Sequence, residues 1–181
     1  TPGDVHVAPQ MPTPIDGTLR QFALRVPDVI DECSGIMVFG KRIKSLVFST
    51  DLSIIRNVNA DAVFAVYPFT AQPAITQALL TAAECPVFVG VGGGTTTGKR
   101  SVQLAAVSEM QGVAGVIVNS PASPEMVEHI VHVVDIPVVA TVVRADDAHA
   151  KVRAGAKILN IAAGKNTPEV LRELRRSYPN L

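Results

Sequence analysis

The sequence predicts an α/β fold of parallel strands, each followed by a covering helix, and three observations predict it. Short runs rich in Val, Ile and Phe recur about six times without strict alternation, the pattern of strands buried on both faces. An amphipathic stretch follows each run, several of them opened by Ser, Thr or Asp before Pro or an acidic residue. Strand starts fall roughly 18 to 27 residues apart, the repeat of one strand–helix unit, and such units in series give parallel strands with right-handed crossovers.

From Thr1 to about Asp16 the chain carries Pro2, Pro9, Pro12 and Pro14 with little apolar periodicity, so residues 1–16 read as an extended arm and 17–181 as a single domain. Leu19, Phe22, Ala23, Val26 and Ile30 recur at helical spacing, which predicts a leading helix between Thr18 and Cys33 that Pro27 kinks or breaks. Strands are then predicted at Ile43–Ser49, Ala62–Tyr67, Pro86–Val91, Val113–Asn119, Pro137–Val142 and Lys157–Ile161. Helices alternate with them at Leu52–Asn57, Pro73–Ala83, Arg100–Met110, Pro124–Val134, Asp146–Ala154 and Pro168–Ser177.

A closed barrel of such units has eight of them and about 250 residues. The chain is therefore either a parallel (β/α) barrel of TIM type with six of its eight units or an open parallel sheet. A seventh strand falls due just beyond Leu181, so the last two units lie outside this sequence or are absent from the protein. The strand at Lys157–Ile161 is flanked by Ala156, Ala162 and Ala163 and lacks edge guards other than Lys157. A neighbouring subunit or further residues are expected to fill the seam between it and the first strand, which predicts a homo-oligomer.

Composition narrows the function. Hydrophobic residues make up 48% and charged ones 18%, which excludes a disordered chain. Sixteen basic residues balance sixteen acidic ones, so no long-range field draws nucleic acid or an anionic membrane. Cys33 and Cys85 have no second Cys or His at ligand spacing, no apolar run approaches the roughly 20 residues of a membrane span, and no signal pattern opens the chain. A soluble cytoplasmic protein without a metal or cofactor is expected.

In either architecture the ligand site lies at the carboxyl ends of the strands. The third junction carries the strongest signal. Gly90, Gly92, Gly93 and Gly94 let the backbone approach a ligand closely, Thr95, Thr96 and Thr97 add hydroxyls, and Lys99 and Arg100 add positive charge at a helix start. This combination points to an oxyanion, a phosphate above all. The string Gly93-x-x-x-x-Gly98-Lys99 approaches a Walker A loop, but Arg100 stands where that loop needs Ser or Thr for magnesium, which argues against a nucleotide triphosphatase.

His129 and His132, with Glu125 and Glu128, lie opposite an apolar stripe of Met126, Val127, Ile130 and Val134 and read as a solvated face rather than a metal site. His149 shares a charged helix with Lys151 and Arg153, and His6 lies in the arm. No His ends a strand, so a Ser-His-Asp triad lacks its base. Cys85 sits at the amino end of its strand and reads as a core residue.

The stretch Ile136 to Thr141, then Asp146 through Ala154, then Gly155 to Asn160 resembles the fifth and sixth units of phosphate-binding (β/α) barrels, most closely the 2-keto-3-deoxy-6-phosphogluconate aldolases. That family's Schiff-base lysine corresponds here to Asn160. From Gly40 through the Gly92–Ser101 loop to Pro179 the chain also resembles an uncharacterised bacterial barrel family loosely labelled hydrolase. Arg42–Ser49 and Gly112–Ser120 are similar to glycerol-3-phosphate-responsive antiterminators, which implies a sensor as the alternative to an enzyme.

The expected function is an enzyme acting on a small phosphorylated or carboxylated metabolite by isomerase or lyase-type chemistry next to a carbonyl. Lys99 and Arg100 would clamp the anion, and Asn119, Thr141 and Asn160 would orient the substrate. Asp51 is the best-placed general base, although its position directly before a helix also suits a helix cap. Lys165, in an exposed Gly164-Lys165-Asn166 setting, is a further candidate amine.

Overall fold

The computed structural model describes residues 8–181; Thr1–Val7, with Pro2 and His6, lie outside the described residues. Residues 8–17 carry no helix or strand. The leading helix does not form. In its place are two 3-10 turns, Thr18–Arg20 and Asp28–Glu32, separated by extended backbone. Pro27 lacks an N–H and drives Val26 out of the helical region. Groups on a later segment then capture the freed backbone: Leu24 donates to the Asn57 carbonyl at 2.9 Å, Asn59 donates to the Leu24 carbonyl at 3.2 Å, and the Val26 N–H donates to Asn59 Oδ1 at 2.8 Å.

A short antiparallel hairpin follows, β1 (Ile36–Val38) with β2 (Lys41–Ile43), in which Ile36 faces Ile43. Its turn places Phe39 and Gly40 at φ 46° and 78°, the left-handed pair that a two-residue hairpin loop needs. The strand predicted at Ile43–Ser49 is therefore divided. Ile43 ends β2, and the sheet begins only at β3 (Leu46–Phe48). Asp61 makes the corner between them, its carboxylate accepting the Lys44 N–H at 2.8 Å and the Ser45 N–H at 3.0 Å while Ser45 Oγ accepts the Asp61 N–H at 2.9 Å.

The remaining strands fall where the apolar runs placed them: β4 (Ala62–Ala65), β5 (Val87–Gly92), β6 (Gly115–Val118), β7 (Val138–Val142) and β8 (Ile158–Ile161). They pair in chain order from β3 to β8, every pair parallel. The helices are α1 (Leu52–Asn57), α2 (Pro73–Ala82), α3 (Gly98–Gln111), α4 (Pro124–Val131), α5 (Ala145–Arg153) and α6 (Thr167–Ser177).

Because side chains alternate along a strand, the sheet has two apolar faces. Val63, Val89, Val116 and Val138 pack under helix residues such as Leu79, Ala105 and Ile130. On the other face Phe64, Phe88, Ile117 and Val139 meet Val38 and Ile43 of the hairpin. Phe64 lies 5.2 Å from Phe88 and 6.2 Å from Phe48 between ring centroids. The result is an α/β fold of TIM type, six strands curled into part of a barrel and left open between β3 and β8. Among the described residues no helix is long and apolar enough to cross a membrane.

Candidate functional site

Strand β5 ends at Gly92, and the loop from there to α3 is held by its own backbone. The Gly93 N–H donates to the Thr96 carbonyl at 2.9 Å, closing a turn, and the Asn119 N–H donates to the Gly92 carbonyl at 2.9 Å, fastening the loop to the end of β6. Two glycines are required here. A β-carbon on Gly92 would collide with Ser101 Oγ and lie 2.8 Å from the Thr96 carbonyl oxygen. Gly93 has φ 96° and packs where a β-carbon would come within 2.8 Å of the Asn119 backbone.

The loop forms one wall of a cavity of about 280 Å³ at the carboxyl ends of β4, β5 and β6. Gly92, Gly94, Thr95, Thr96 and Asn119 line that wall, and Val66, Tyr67, Pro68 and Phe69 stand opposite. Among the described residues three buried side-chain oxygens lack a hydrogen-bond partner, and two of them, Thr96 Oγ1 and Ser101 Oγ, belong to this loop and the helix it opens. Thr96 is 5% exposed and Ser101 fully buried. An unpaired buried hydroxyl costs about 1–3 kcal/mol, and two such hydroxyls lie at this one junction of loop and helix. The first N–H groups of α3 have no intrahelical acceptor and add a positive helix end to the same region.

The other residues singled out in the sequence are dispersed. Lys99 and Arg100 are exposed on the first turn of α3, outside the cavity lining. Thr97 holds the N-cap position without a side-chain cap bond. Thr141 and Asn160 face each other across the β7–β8 register, and Asn160 Nδ2 donates to Thr141 Oγ1 at 3.2 Å. They extend the polar rim of the sheet away from the cavity. Lys165 is exposed in a 3-10 turn at Gly164–Asn166.

Asp51 takes the second of its two suggested roles. Its Oδ1 accepts the Ser53 hydroxyl at 2.6 Å and the N–H groups of Ser53 and Ile54 at 2.8 and 3.2 Å, the arrangement of a cap on α1. Those bonds, the Ser53 hydroxyl first, hold its carboxyl below the ordinary range and make it a weak base. Asp51 thus caps α1, and it does not line the cavity.

Lys151, which the sequence places on a charged helix with His149 and Arg153, has a fully buried side chain. Its Nζ donates to the carbonyls of Ser120 at 2.7 Å and Thr141 at 3.1 Å and to Asp147 Oδ2 at 2.9 Å. It joins the ends of β6 and β7, just behind Asn119 and beneath Thr141. The signal was its position three residues after Ala148 and six after Ala145, a small-residue stripe with room for a long side chain, together with an acid one turn earlier.

His149 is half-buried, with Nδ1 2.8 Å from the Tyr178 hydroxyl. His129, Glu125 and Glu128 are exposed on α4, and His132 Nδ1 lies 2.7 Å from the Glu128 carbonyl rather than its carboxylate. Cys85 is half-buried, and burial pushes its thiol up.

No protein-family model matches the chain, and no curated protein is similar to it in sequence. Solved structures are similar in fold. Mandelate oxidase superposes with a TM-score of 0.61 at 15% identity, covering 80% of this chain and 58% of its own. Thiamine phosphate pyrophosphorylase from Pyrococcus furiosus gives 0.55 at 19%, covering 72% and 65%. Phosphonopyruvate hydrolase gives 0.55 at 12%, covering 68% and 58%. These likenesses establish the TIM-type barrel architecture, and the chain spans about three fifths of the length of such proteins.

Proposed function

We propose that this chain binds a small phosphorylated or carboxylated metabolite against the Gly92–Gly98 loop and, as an enzyme, performs isomerase or lyase-type chemistry next to a carbonyl. The observation that carries the reading is the unpartnered, nearly buried hydroxyl of Thr96 in a glycine-rich loop that lines a cavity and opens a helix, with the unpartnered Ser101 hydroxyl behind it on the first turn of that helix. Lys99 and Arg100, exposed on the first turn of the helix, supply charge to draw the anion in, and Asn119 on the cavity wall is placed to hydrogen-bond the substrate.

Titration with inorganic phosphate tests the reading. Thr96→Val, which keeps the shape and removes the hydroxyl, is expected to weaken phosphate binding about tenfold, as the loss of one hydrogen bond to a charged group does. Equal affinity in the two proteins would remove Thr96 from the site.

One observation favours a non-catalytic sensor as the second reading. The cavity lining includes no carboxylate, histidine or lysine, the side chains that most often abstract a carbon-bound proton. Assay of phosphosugars and keto acids separates the two: turnover supports the enzyme, and tight binding without turnover supports the sensor.

A further inference from the structure

One cavity residue with chemistry of its own lies outside the anion loop. Tyr67 follows β4 and lines the wall facing the loop, half-buried. Its hydroxyl oxygen accepts the Gln72 N–H at 3.0 Å, at the residue that opens α2. That bond occupies a lone pair and fixes the ring. Among the described residues the hydroxyl proton has no acceptor, so what Tyr67 has left to offer is a donated hydrogen bond. Its neighbours on that wall, Val66, Pro68 and Phe69, are apolar.

Size limits what can lie between the two walls. About 280 Å³ is just below the range of roughly 300–1,000 Å³ that holds drug-sized ligands, enough for an oxyanion and a chain of a few atoms. A ligand anchored at the loop and long enough to reach the Tyr67 hydroxyl would satisfy it with an oxygen and leave it unpaired with an apolar terminus.

Building on the anion-loop reading, we propose that Tyr67 selects the ligand: the site takes a short phosphate ester with a carbonyl or hydroxyl oxygen a few bonds from the phosphate, and the Tyr67 hydroxyl donates to that oxygen. The loop supplies affinity for the phosphate, and Tyr67 supplies discrimination for what it carries. A site built to hydrogen-bond an oxygen rejects the analogue that lacks it more sharply than any apolar wall can.

Three probes test this by titration: inorganic phosphate, hydroxyacetone phosphate, and propyl phosphate, which has the same chain length without the carbonyl oxygen. The wild-type protein is expected to prefer hydroxyacetone phosphate over propyl phosphate by about tenfold or more. In Tyr67→Phe that ratio falls to about one while affinity for inorganic phosphate stays within about twofold, which also shows that the loop is folded. No preference in the wild type, or a preference that survives Tyr67→Phe, would overturn the role of Tyr67 and leave the anion loop standing. Failure of all three probes to bind would overturn the anion loop itself and the proposal with it.

Discussion

Ser101 on α3 packs its hydroxyl against the α-carbon of Gly92 at the end of β5, so the two residues set how closely the helix approaches the strand. Gly92→Ala forces the β-carbon into Ser101 Oγ and against the Thr96 carbonyl, which cannot give way without opening the turn. A loss of about 1–3 kcal/mol is expected from such overpacking, together with loss of phosphate binding. Adding Ser101→Gly restores only part of the stability, because the Thr96 carbonyl remains 2.8 Å away. Urea denaturation of the single and double variants checks both statements; full restoration would mean that the carbonyl contact is harmless.

Lys151 is expected to be among the most sensitive positions outside the apolar core. Lys151→Met fills much of the same space but strands the Ser120 and Thr141 carbonyls and leaves Asp147 without its cation. Asp147 is one-third exposed and can rehydrate, so the loss should be about 2–3 kcal/mol, below the value for a fully buried broken pair. Chemical denaturation measures it. A loss under about 0.5 kcal/mol, the level of an ordinary surface substitution, would contradict the description of Lys151 as the tie between β6 and β7.

The parallel strands were legible because burial on both faces writes itself as a continuous apolar run, as in Ala62–Val66, and because Pro73, Pro124 and Pro168 announce helix starts. The glycine-rich loop between β5 and α3 was legible for a similar local reason, its glycines and threonines being adjacent in sequence. What escaped depends on partners far along the chain. The spacing of Leu19, Phe22 and Val26 fits a helix, but Asn57 and Asn59 take those backbone groups from more than thirty residues away. Lys151 faces inward because two strand-end carbonyls meet it, and the neighbouring alanines and Asp147 are only a faint local trace of that. Tyr67 ends a predicted strand, and only the fold brings it to the same cavity as Thr96.

Asp61 provides a pH dependence with a definite sign. Burial pushes its carboxyl up, but the Lys44 and Ser45 backbone bonds, a bond with the Ser45 side chain and the charge of Lys44 together hold it below the ordinary value. A carboxyl that is more acidic when folded stabilises the fold above its unfolded pKa of about 4 and loses that contribution as pH falls through the folded value. Asp61→Ala, which removes two backbone partners at a solvent-exposed corner, should cost about 1 kcal/mol at pH 7. The gap between wild type and variant should narrow as the pH is lowered from 5 to 3. A gap that is constant over that range would assign the Asp61 contribution to packing rather than charge.

The open seam carries the remaining expectation. At β3 the sheet presents Leu46, 40% exposed, and Phe48, 60% exposed, with Phe48 continuing the aromatic row of Phe64 and Phe88 out to the edge. At the other side β8 ends the sheet with its outer row of backbone donors and acceptors facing no further strand. Apolar, unguarded edges of this kind are surfaces for association. We therefore propose that this chain self-associates in solution through the seam, with sedimentation velocity showing concentration-dependent mass above the monomer. Phe48→Lys places a charge on the edge at the cost of its ring contact with Phe64 and should shift the distribution towards monomer, while leaving phosphate binding at the β5–α3 loop within about twofold. A wild-type chain that sediments as a monomer at all concentrations and unfolds cooperatively would show that the exposed aromatic edge is stable against water, and would exclude the seam as an interface.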